Sequence, residues 1–95
     1  MTVFIGSRHK FRTRYGRPLG KIIAHIIADT SSQLHDMAQK IGLTSDDYHD
    51  THYHVNGQYR YEKAIALGAK PRFGMYWTRA LERIQKRITE GKWDA

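Results

Sequence analysis

The chain has 95 residues, contains no cysteine and carries a formal net charge of +7. A chain of this length builds one modest hydrophobic core, and the lack of cysteine excludes a disulfide framework and a thiolate zinc site. No apolar run reaches the roughly 18 residues that span a bilayer, and the first residues lack the charged-then-apolar order of a signal peptide, so we expect a cytoplasmic protein without a membrane partner.

The positive charge is concentrated at the two ends of the chain. Residues 1–21 contain six Lys and Arg residues and no acid, whereas residues 22–58 contain Lys40 and five aspartates. Residues 59–95 contain nine bases and four acids. A field of this sign favours a polyanionic partner, which we expect to be nucleic acid first and an acidic protein next.

The first third of the chain predicts two strands joined by a basic loop. Residues 2–5 form a β-branched and aromatic run that stops at Gly6, which indicates a strand. Residues 22–28 are apolar at every position except His25, as in a strand buried on both faces, and we expect the two strands to pair. Residues 8–21 are interpreted as a loop, with at most an irregular extended piece, because they combine cations with turn-forming Gly and Pro.

The basic loop is a candidate nucleic-acid contact. Guanidinium groups neutralise phosphates and aromatic rings stack on unpaired bases, so cations beside rings suit such a contact. The alternative is a solvated loop whose aromatic side chains pack at the edge of the core, and no known binding signature decides between the two. The candidate residues are Arg8, Lys10, Phe11, Arg12, Arg14, Tyr15 and Arg17.

A capped helix is predicted directly after the long strand. Thr30 is placed to cap it, with Gln33 three residues later as in a capping box. Gly42 stands where a helix ends in a left-handed residue. The apolar face of this helix consists of Leu34, Met37, Ala38 and Ile41.

The second half of the chain predicts two more strands and two more helices. An acidic loop with one helical turn covers residues 44–51, residues 51–55 alternate as a short strand, and a helix runs from about residue 57 to 67. Residues 70–73 are predicted as an edge strand, where proline is tolerated, and residues 74–90 as an amphipathic helix. The basic face of the last helix is either solvated or a second nucleic-acid surface, and it consists of Arg79, Arg83, Lys86 and Arg87.

The order of these elements predicts an α/β fold. We expect a small two-layer or three-layer domain over residues 1–90, with a short parallel or mixed sheet of three or four strands and three helices. Residues 91–95 are expected to form a tail. Trp93 in this tail should pack back on the domain or meet a partner, because a large indole is seldom left in water.

Five separated segments resemble one known family in order and spacing. They cover residues 1–5, 25–30, 33–43, 52–55 and 63–69. Over about residues 1–73, the chain is similar to the small bacterial and phage family catalogued as domain of unknown function 4031. The resemblance implies no activity, but it implies an accessory protein, located in the host cytoplasm if phage-encoded. The positions shared with the family are His25, Asp29, His35, His52 and Tyr53.

The chain departs from this family pattern in two places. Gly6 and Ser7 stand where members usually have an acidic pair, and His54 stands where they have an aspartate. The resemblance therefore does not carry over a metal or acid–base role that relies on those carboxylates. The helix after Phe73 also extends beyond the usual end of the family, which implies a specialised partner.

Polar residues at two predicted strand ends form a candidate site. Ligands of open α/β sheets bind beyond the carboxyl ends of parallel strands, so Asp29 and the region after His54 are expected to face one crevice. His52 and His54 share a strand face and, with Asp29, would supply the ligand mix that suits zinc, manganese or iron; His49 or Asp50 would add further ligands. The candidate pocket consists of His25, Asp29, Thr30, His35 and Tyr53.

Each of these residues also has a purely structural interpretation. His25 would be a satisfied core histidine, and Asp29 would help to cap the helix. His35 stands outside the apolar stripe and would contact Asp29. The remaining histidines would lie on the surface or at a sheet edge.

Three functions are compatible with the sequence. The first is binding of a polyanion, above all nucleic acid, and the second is metal-dependent hydrolysis, including nuclease activity, at His52, His54 and Asp29, with His25 as a further residue. The third is docking on an acidic host protein, for which Trp93 would be an anchor. Binding ranks ahead of catalysis because the sequence contains no recognisable nucleophile–base pair and no phosphate-loop pattern.

Overall fold

The computed structural model describes residues 2–7, 9–12 and 18–94, with side chains for residues 2–7 and 23–94. Six strands and three α-helices are formed within these ranges. The strands are β1 (Val3–Ile5), β2 (His9–Arg12), β3 (Pro18–Ala28), β4 (Tyr48–His49), β5 (His52–Asn56) and β6 (Lys70–Pro71), and the helices are α1 (Ser31–Lys40), α2 (Gln58–Ala66) and α3 (Gly74–Thr89).

The strands form one mixed sheet. The order across the sheet is β4, β5, β3, β1, β6, and β2 also pairs with β3. Strand β3 is antiparallel to β1, β2 and β5, whereas β1 and β6 are parallel. The α/β class, the mixed sheet and the three helices are confirmed, and the sheet has more strands than the three or four predicted.

The prediction of a loop over residues 8–21 is wrong for much of its length. The backbone of β2 pairs with the first part of β3, which begins at Pro18 rather than at residue 22. Gly and Pro indicate a loop when only local sequence is considered, but pairing with a long strand supplies the backbone hydrogen bonds that an extended segment needs. Proline is also tolerated as the first residue of a strand.

The predicted direction of the central strands is wrong as well. Strands β3 and β5 are neighbours, as expected, but they run antiparallel, with Ile26 opposite Tyr53. The end of β3 at Asp29 therefore lies beside the start of β5 and not beside its carboxyl end. Asp29 and the region after His54 are consequently at opposite ends of the strand pair.

Helix α1 begins and ends where its predicted capping residues indicate. The Thr30 hydroxyl accepts a hydrogen bond from the Gln33 amide at 3.2 Å, as expected for the N-cap. At the other end Gly42 has a φ of 83°, and the Leu43 amide donates to the Ala38 carbonyl at 2.9 Å. These bonds satisfy groups that the helix ends leave unpaired.

Helices pack on both faces of the sheet. Side chains alternate along β3, so Ala24, Ile26 and Ala28 point to one face and His25 and Ile27 to the other. Helix α1 packs on the first face through buried residues such as Leu34. Each fully buried isoleucine contributes roughly 1.5–3 kcal/mol to stability.

Helix α3 covers part of the second face. Its residues Leu81, Ile84 and Ile88 line a small cavity together with Ile27, and Trp77 lies against Gly6. The remaining part of this face, over β5 and β4, carries polar side chains. No helix within the described ranges is long and apolar enough to cross a membrane.

The C-terminal residues pack back on the domain, as one of the two alternatives for Trp93 predicted. Its side chain is buried, and the indole N–H donates to the Ala28 carbonyl at 3.0 Å. The Ser31 amide donates to the Trp93 carbonyl at 2.6 Å. Trp93 therefore joins the tail to the junction between β3 and α1.

Candidate metal centre

Three neighbouring strands bring four histidines to the uncovered part of the second sheet face. His52 and His54 are two residues apart on β5, so their side chains share this face. His25 on β3 stands directly opposite His54, and His49 on β4 stands directly opposite His52. The antiparallel register alone produces this cluster, because the four residues belong to three strands.

Three of the four imidazoles are close enough to hold one ion. One ligating nitrogen each from His25, His52 and His54 lies within 4.8 Å of the others. The His52 Nε2 and His54 Nε2 atoms are 3.3 Å apart. Two ligands of a tetrahedral zinc ion, each about 2.1 Å from the metal, are about 3.4 Å apart, so these two nitrogens already have the required separation. A ligating nitrogen of His25 lies within 4.8 Å of one from each of the other two histidines.

The electrostatic environment keeps His52 in the form that binds metal. Burial lowers the pKa of His52 below its ordinary value of 6.5, the neighbouring His54 and His49 lower this pKa further, and Asp50 opposes the shift. Only a neutral imidazole has the lone pair that a metal needs. At neutral pH, His52 is therefore ready to act as a ligand.

The trio is accessible from solvent. His25, His52 and His54 are each partly exposed, and His49 is exposed. The ring centroid of His49 lies 5.4 Å from that of His52 and 5.8 Å from that of His54, but its nitrogens do not belong to the group of ligating atoms that lie within 4.8 Å of one another. An ion held by the trio would thus keep at least one coordination position for water or substrate, as catalytic zinc sites do.

The donor set favours some metals over others. Three imidazoles suit zinc, copper, iron or nickel, whereas manganese and magnesium prefer carboxylate oxygens. No carboxylate joins the trio in the part of the chain that the structure describes. Among the three predicted metals, zinc and iron fit these residues better than manganese.

The two departures from the resemblance can now be placed. The His54 ring centroid lies 4.8 Å from that of His25 and 5.2 Å from that of His52, so an imidazole of the trio stands at the position where the resemblance implies an aspartate. Both groups are metal ligands, so the exchange keeps a donor at this position. Gly6 supplies no donor side chain; its amide donates to the His25 carbonyl at 2.9 Å, and its Cα faces the Trp77 ring.

Asp29 lies away from the histidine trio. Its carboxylate is fully buried and accepts hydrogen bonds from Arg83 Nε at 2.8 Å, Arg83 Nη2 at 3.0 Å and the Thr2 amide at 2.9 Å. Arg87 Nε donates to the Asp29 carbonyl at 2.6 Å. This carboxylate therefore fastens α3 to the end of β3, and Thr30 beside it caps α1.

His35 and Tyr53 lie on the opposite side of the sheet from the trio. The His35 Nδ1 and Tyr53 hydroxyl are 2.6 Å apart, and both rings contact Tyr48. Burial raises the pKa of Tyr53, with a further contribution from Asp47. The predicted contact between His35 and Asp29 is replaced by this one, and the five residues of the predicted pocket do not share one crevice.

The predicted nucleic-acid residues are described only in part. Arg8, Arg14, Tyr15 and Arg17 lie outside the described residues, and only the backbone of Lys10, Phe11 and Arg12 is described, in β2. On α3, Arg79 and Lys86 are exposed. Arg83 and Arg87 hold the end of β3 and are already engaged within the fold.

Sequence reasoning paired His52 with His54 because a period of two places both on one strand face. It gave His25 only as a further residue of the hydrolase site and did not predict that His25 stands opposite His54, because the partner of a residue across a sheet depends on register. It also did not predict β4, which has only two residues and puts His49 beside His52. A histidine at an internal position of an otherwise apolar strand was the one available signal for His25.

Comparison with known proteins gives one match. A family model described as a protein of unknown function, DUF4031, matches residues 12–85. This match includes all four histidines of the cluster. It also includes α3 as far as residue 85, so the expectation that the helix after Phe73 extends beyond the usual end of the family is wrong for most of that helix. No curated protein and no solved structure matches the chain.

Proposed function

We propose that this chain, which belongs to the DUF4031 family, is a zinc-dependent hydrolase that cleaves phosphodiester bonds of nucleic acid. One observation carries the proposal: the ligating nitrogens of His25, His52 and His54 converge within 4.8 Å on an open part of the sheet. Three imidazoles with an open position are a common ligand set of catalytic zinc.

The exposure of the trio supports a catalytic rather than a structural ion. Structural zinc sites are closed by four protein ligands and hold together folds that lack a sufficient core. This domain already has a core, with Ile5, Ile26 and Leu34 fully buried on one side of the sheet. The histidines lie on the other side, where an ion would add little to folding and would be reachable by substrate.

A zinc ion held by the trio would supply two effects: it would lower the pKa of a coordinated water, and it would partly neutralise a phosphoryl oxygen. In the hydrolysis, the water oxygen forms a bond to phosphorus while the bond from phosphorus to the leaving oxygen breaks. One water proton goes to the leaving oxygen, so the products are an alcohol and a phosphomonoester. The three histidines would hold the ion, and the open sheet face would admit the phosphodiester.

The charge of the chain supports a polyanionic substrate. The net charge of +7 and the basic first 21 residues raise the local concentration of nucleic acid over that of neutral substrates. An acidic host protein is less well supported as a partner. The indole of Trp93, the expected anchor for such docking, is buried against Ala28.

The test measures metal content and cleavage on the same protein samples. Purified protein is loaded with zinc, dialysed, and analysed for bound metal by mass spectrometry, and cleavage of labelled DNA and RNA oligonucleotides is followed with and without a chelator. We expect about one zinc ion per chain and cleavage that the chelator abolishes. His52→Ala and His54→Ala should each weaken zinc binding by more than about 100-fold, since even outer-shell partners are worth about 10- to 100-fold.

His35→Ala is the matched control, because His35 is an exposed histidine on the other side of the sheet. It should retain zinc and cleavage. If the wild-type protein retains no zinc, the proposal of a metal centre is wrong. If the protein retains zinc and binds oligonucleotides but cleaves none of them, the proposed hydrolase activity is wrong. The protein would then be a zinc-containing nucleic-acid-binding protein.

A further inference from the structure

A groove of about 600 Å³ lies on the surface between the end of α1 and the start of α2. Its volume is in the range of sites that bind nucleotide-sized ligands. The groove is distinct from the histidine trio. Its lining includes Lys40, Gly42, Asn56, Tyr59, Arg60 and Lys63.

Arg60 is held in a defined position in this groove. Its Nη1 donates to Asn56 Oδ1 at 2.6 Å, and Asn56 Nδ2 in turn donates to Asp47 Oδ1 at 3.3 Å. The Arg60 Nε would lie 3.7 Å from a Cβ atom placed on Gly42, so the Arg60 side chain passes close to the Gly42 backbone. Among the described residues, no carboxylate forms an ion pair with Arg60. Its charge is thus oriented but not neutralised.

The other groove cations and the aromatic ring have complementary properties. Lys63 Nζ lies 5.9 Å from the centre of the Tyr59 ring, and Tyr59 is 73% exposed. Lys40 pairs with Asp36 at 2.9 Å, but both side chains are exposed, so the pair is weak and an anion can compete for Lys40. The groove therefore combines unneutralised positive charge with an aromatic face.

We propose that this groove binds single-stranded nucleic acid, with a phosphate at Arg60 and Lys63 and an adjacent base on the Tyr59 ring. A planar guanidinium with free N–H groups recognises phosphate oxygens in a bidentate manner, and an exposed ring stacks an unpaired base. An acidic peptide would satisfy the cations but would leave the ring without a partner. The nucleic acid therefore fits the whole groove better.

The groove extends the nucleic-acid contact of the proposed hydrolase, and in that respect it rests on the proposed function. Asn56, which orients Arg60, is two residues beyond His54 on β5. The groove therefore begins two residues beyond the trio along β5, where β5 leads into α2. The binding itself needs no metal, which allows the two proposals to be tested separately.

The test is a fluorescence anisotropy titration of metal-free protein, in chelator, with a fluorescein-labelled single-stranded oligonucleotide at several salt concentrations. Each phosphate contact on a single strand adds about 0.7 to the slope of log affinity against log salt. The Arg60→Gln, Lys63→Gln double variant should lower this slope by about 1.4 and weaken binding about 10-fold at low salt. The matched control is Lys70→Gln with Lys92→Gln, which removes the same charge at distant exposed sites and should change the slope much less.

A ring variant tests stacking independently of charge. Tyr59→Ala should weaken binding about 10-fold without changing the salt slope, whereas Tyr59→Phe should bind like the wild type. If the double variant does not fold, Arg60→Lys keeps the charge and loses the planar fork, and it should weaken binding by a smaller factor. The proposal is overturned if the groove variants match the Lys70, Lys92 control, or if polyglutamate competes as well as the unlabelled oligonucleotide. Neither outcome depends on zinc binding by the histidines.

Discussion

The ion pair between Asp29 and Arg83 makes a quantitative prediction about stability. Replacing Arg83 by Gln leaves the carboxylate of Asp29, which is 0% exposed, with the Thr2 amide as its remaining described donor. Loss of one partner of a fully buried pair costs about 3–5 kcal/mol. The Arg83 side chain is 58% exposed, so water can enter the vacated space and part of this cost disappears. We therefore expect a loss of about 2 kcal/mol.

For a domain of this size, about 2 kcal/mol corresponds to a decrease in Tm of roughly 8–16 °C. The measurement is thermal unfolding followed by circular dichroism. Arg79→Gln is the matched control on the same exposed surface of α3, and it should change stability by less than about 0.5 kcal/mol. In a double-mutant cycle, Asp29→Asn and Arg83→Gln should be less harmful together than the sum of their separate effects.

The same variants distinguish a structural role of Asp29 from a role in metal binding. Because Asp29 lies outside the histidine trio, Asp29→Asn and Arg83→Gln should bind zinc as tightly as the wild type at temperatures where they remain folded. Equal Tm values for Arg83→Gln and Arg79→Gln would show that the ion pair contributes nothing measurable. Loss of zinc from folded Asp29→Asn would show that Asp29 is a ligand after all.

Three other outcomes are expected. The pKa of His52 lies below its ordinary value of 6.5, so the unfolded chain takes up a proton at His52 more readily than the folded chain does. The contribution of His52 to stability is therefore complete above about pH 6.5 and is lost as the pH falls through the lowered pKa. Urea unfolding of metal-free protein should show this loss, and His52→Gln should reduce it. His54→Asp, which keeps a metal-ligating group at this position, should retain zinc measurably better than His54→Ala in equilibrium dialysis; equal loss in both would contradict a ligand role at this position. Trp93→Ala should lower the free energy of unfolding by about 3–5 kcal/mol in chemical denaturation, because it removes a buried indole. Trp93→Phe, which loses mainly the hydrogen bond to Ala28, should lower it by about 1 kcal/mol. Similar losses in the two variants would show that packing is not the main contribution of Trp93.

The sequence by itself determined the elements that depend on local chemistry. The apolar residues of β3, the Thr30 cap and the left-handed Gly42 are recognisable because strand burial and helix ends require particular residues at particular positions. The amphipathic pattern of α3 and the shared face of His52 and His54 follow from the periods of helices and strands. Each of these signals is contained within a few consecutive residues.

Only the tertiary structure decided which distant residues meet. The antiparallel register of β3 and β5 places His25 opposite His54, whereas the parallel arrangement expected from the sequence would have brought Asp29 there. Asp29 instead meets Arg83, which is 54 positions away in the chain. Strand direction and register depend on the combined packing of α1 and α3 on the two sheet faces, and no short segment contains that information. For this reason the candidate centre consists of three histidines, while the carboxylate predicted to join them holds the last helix in place.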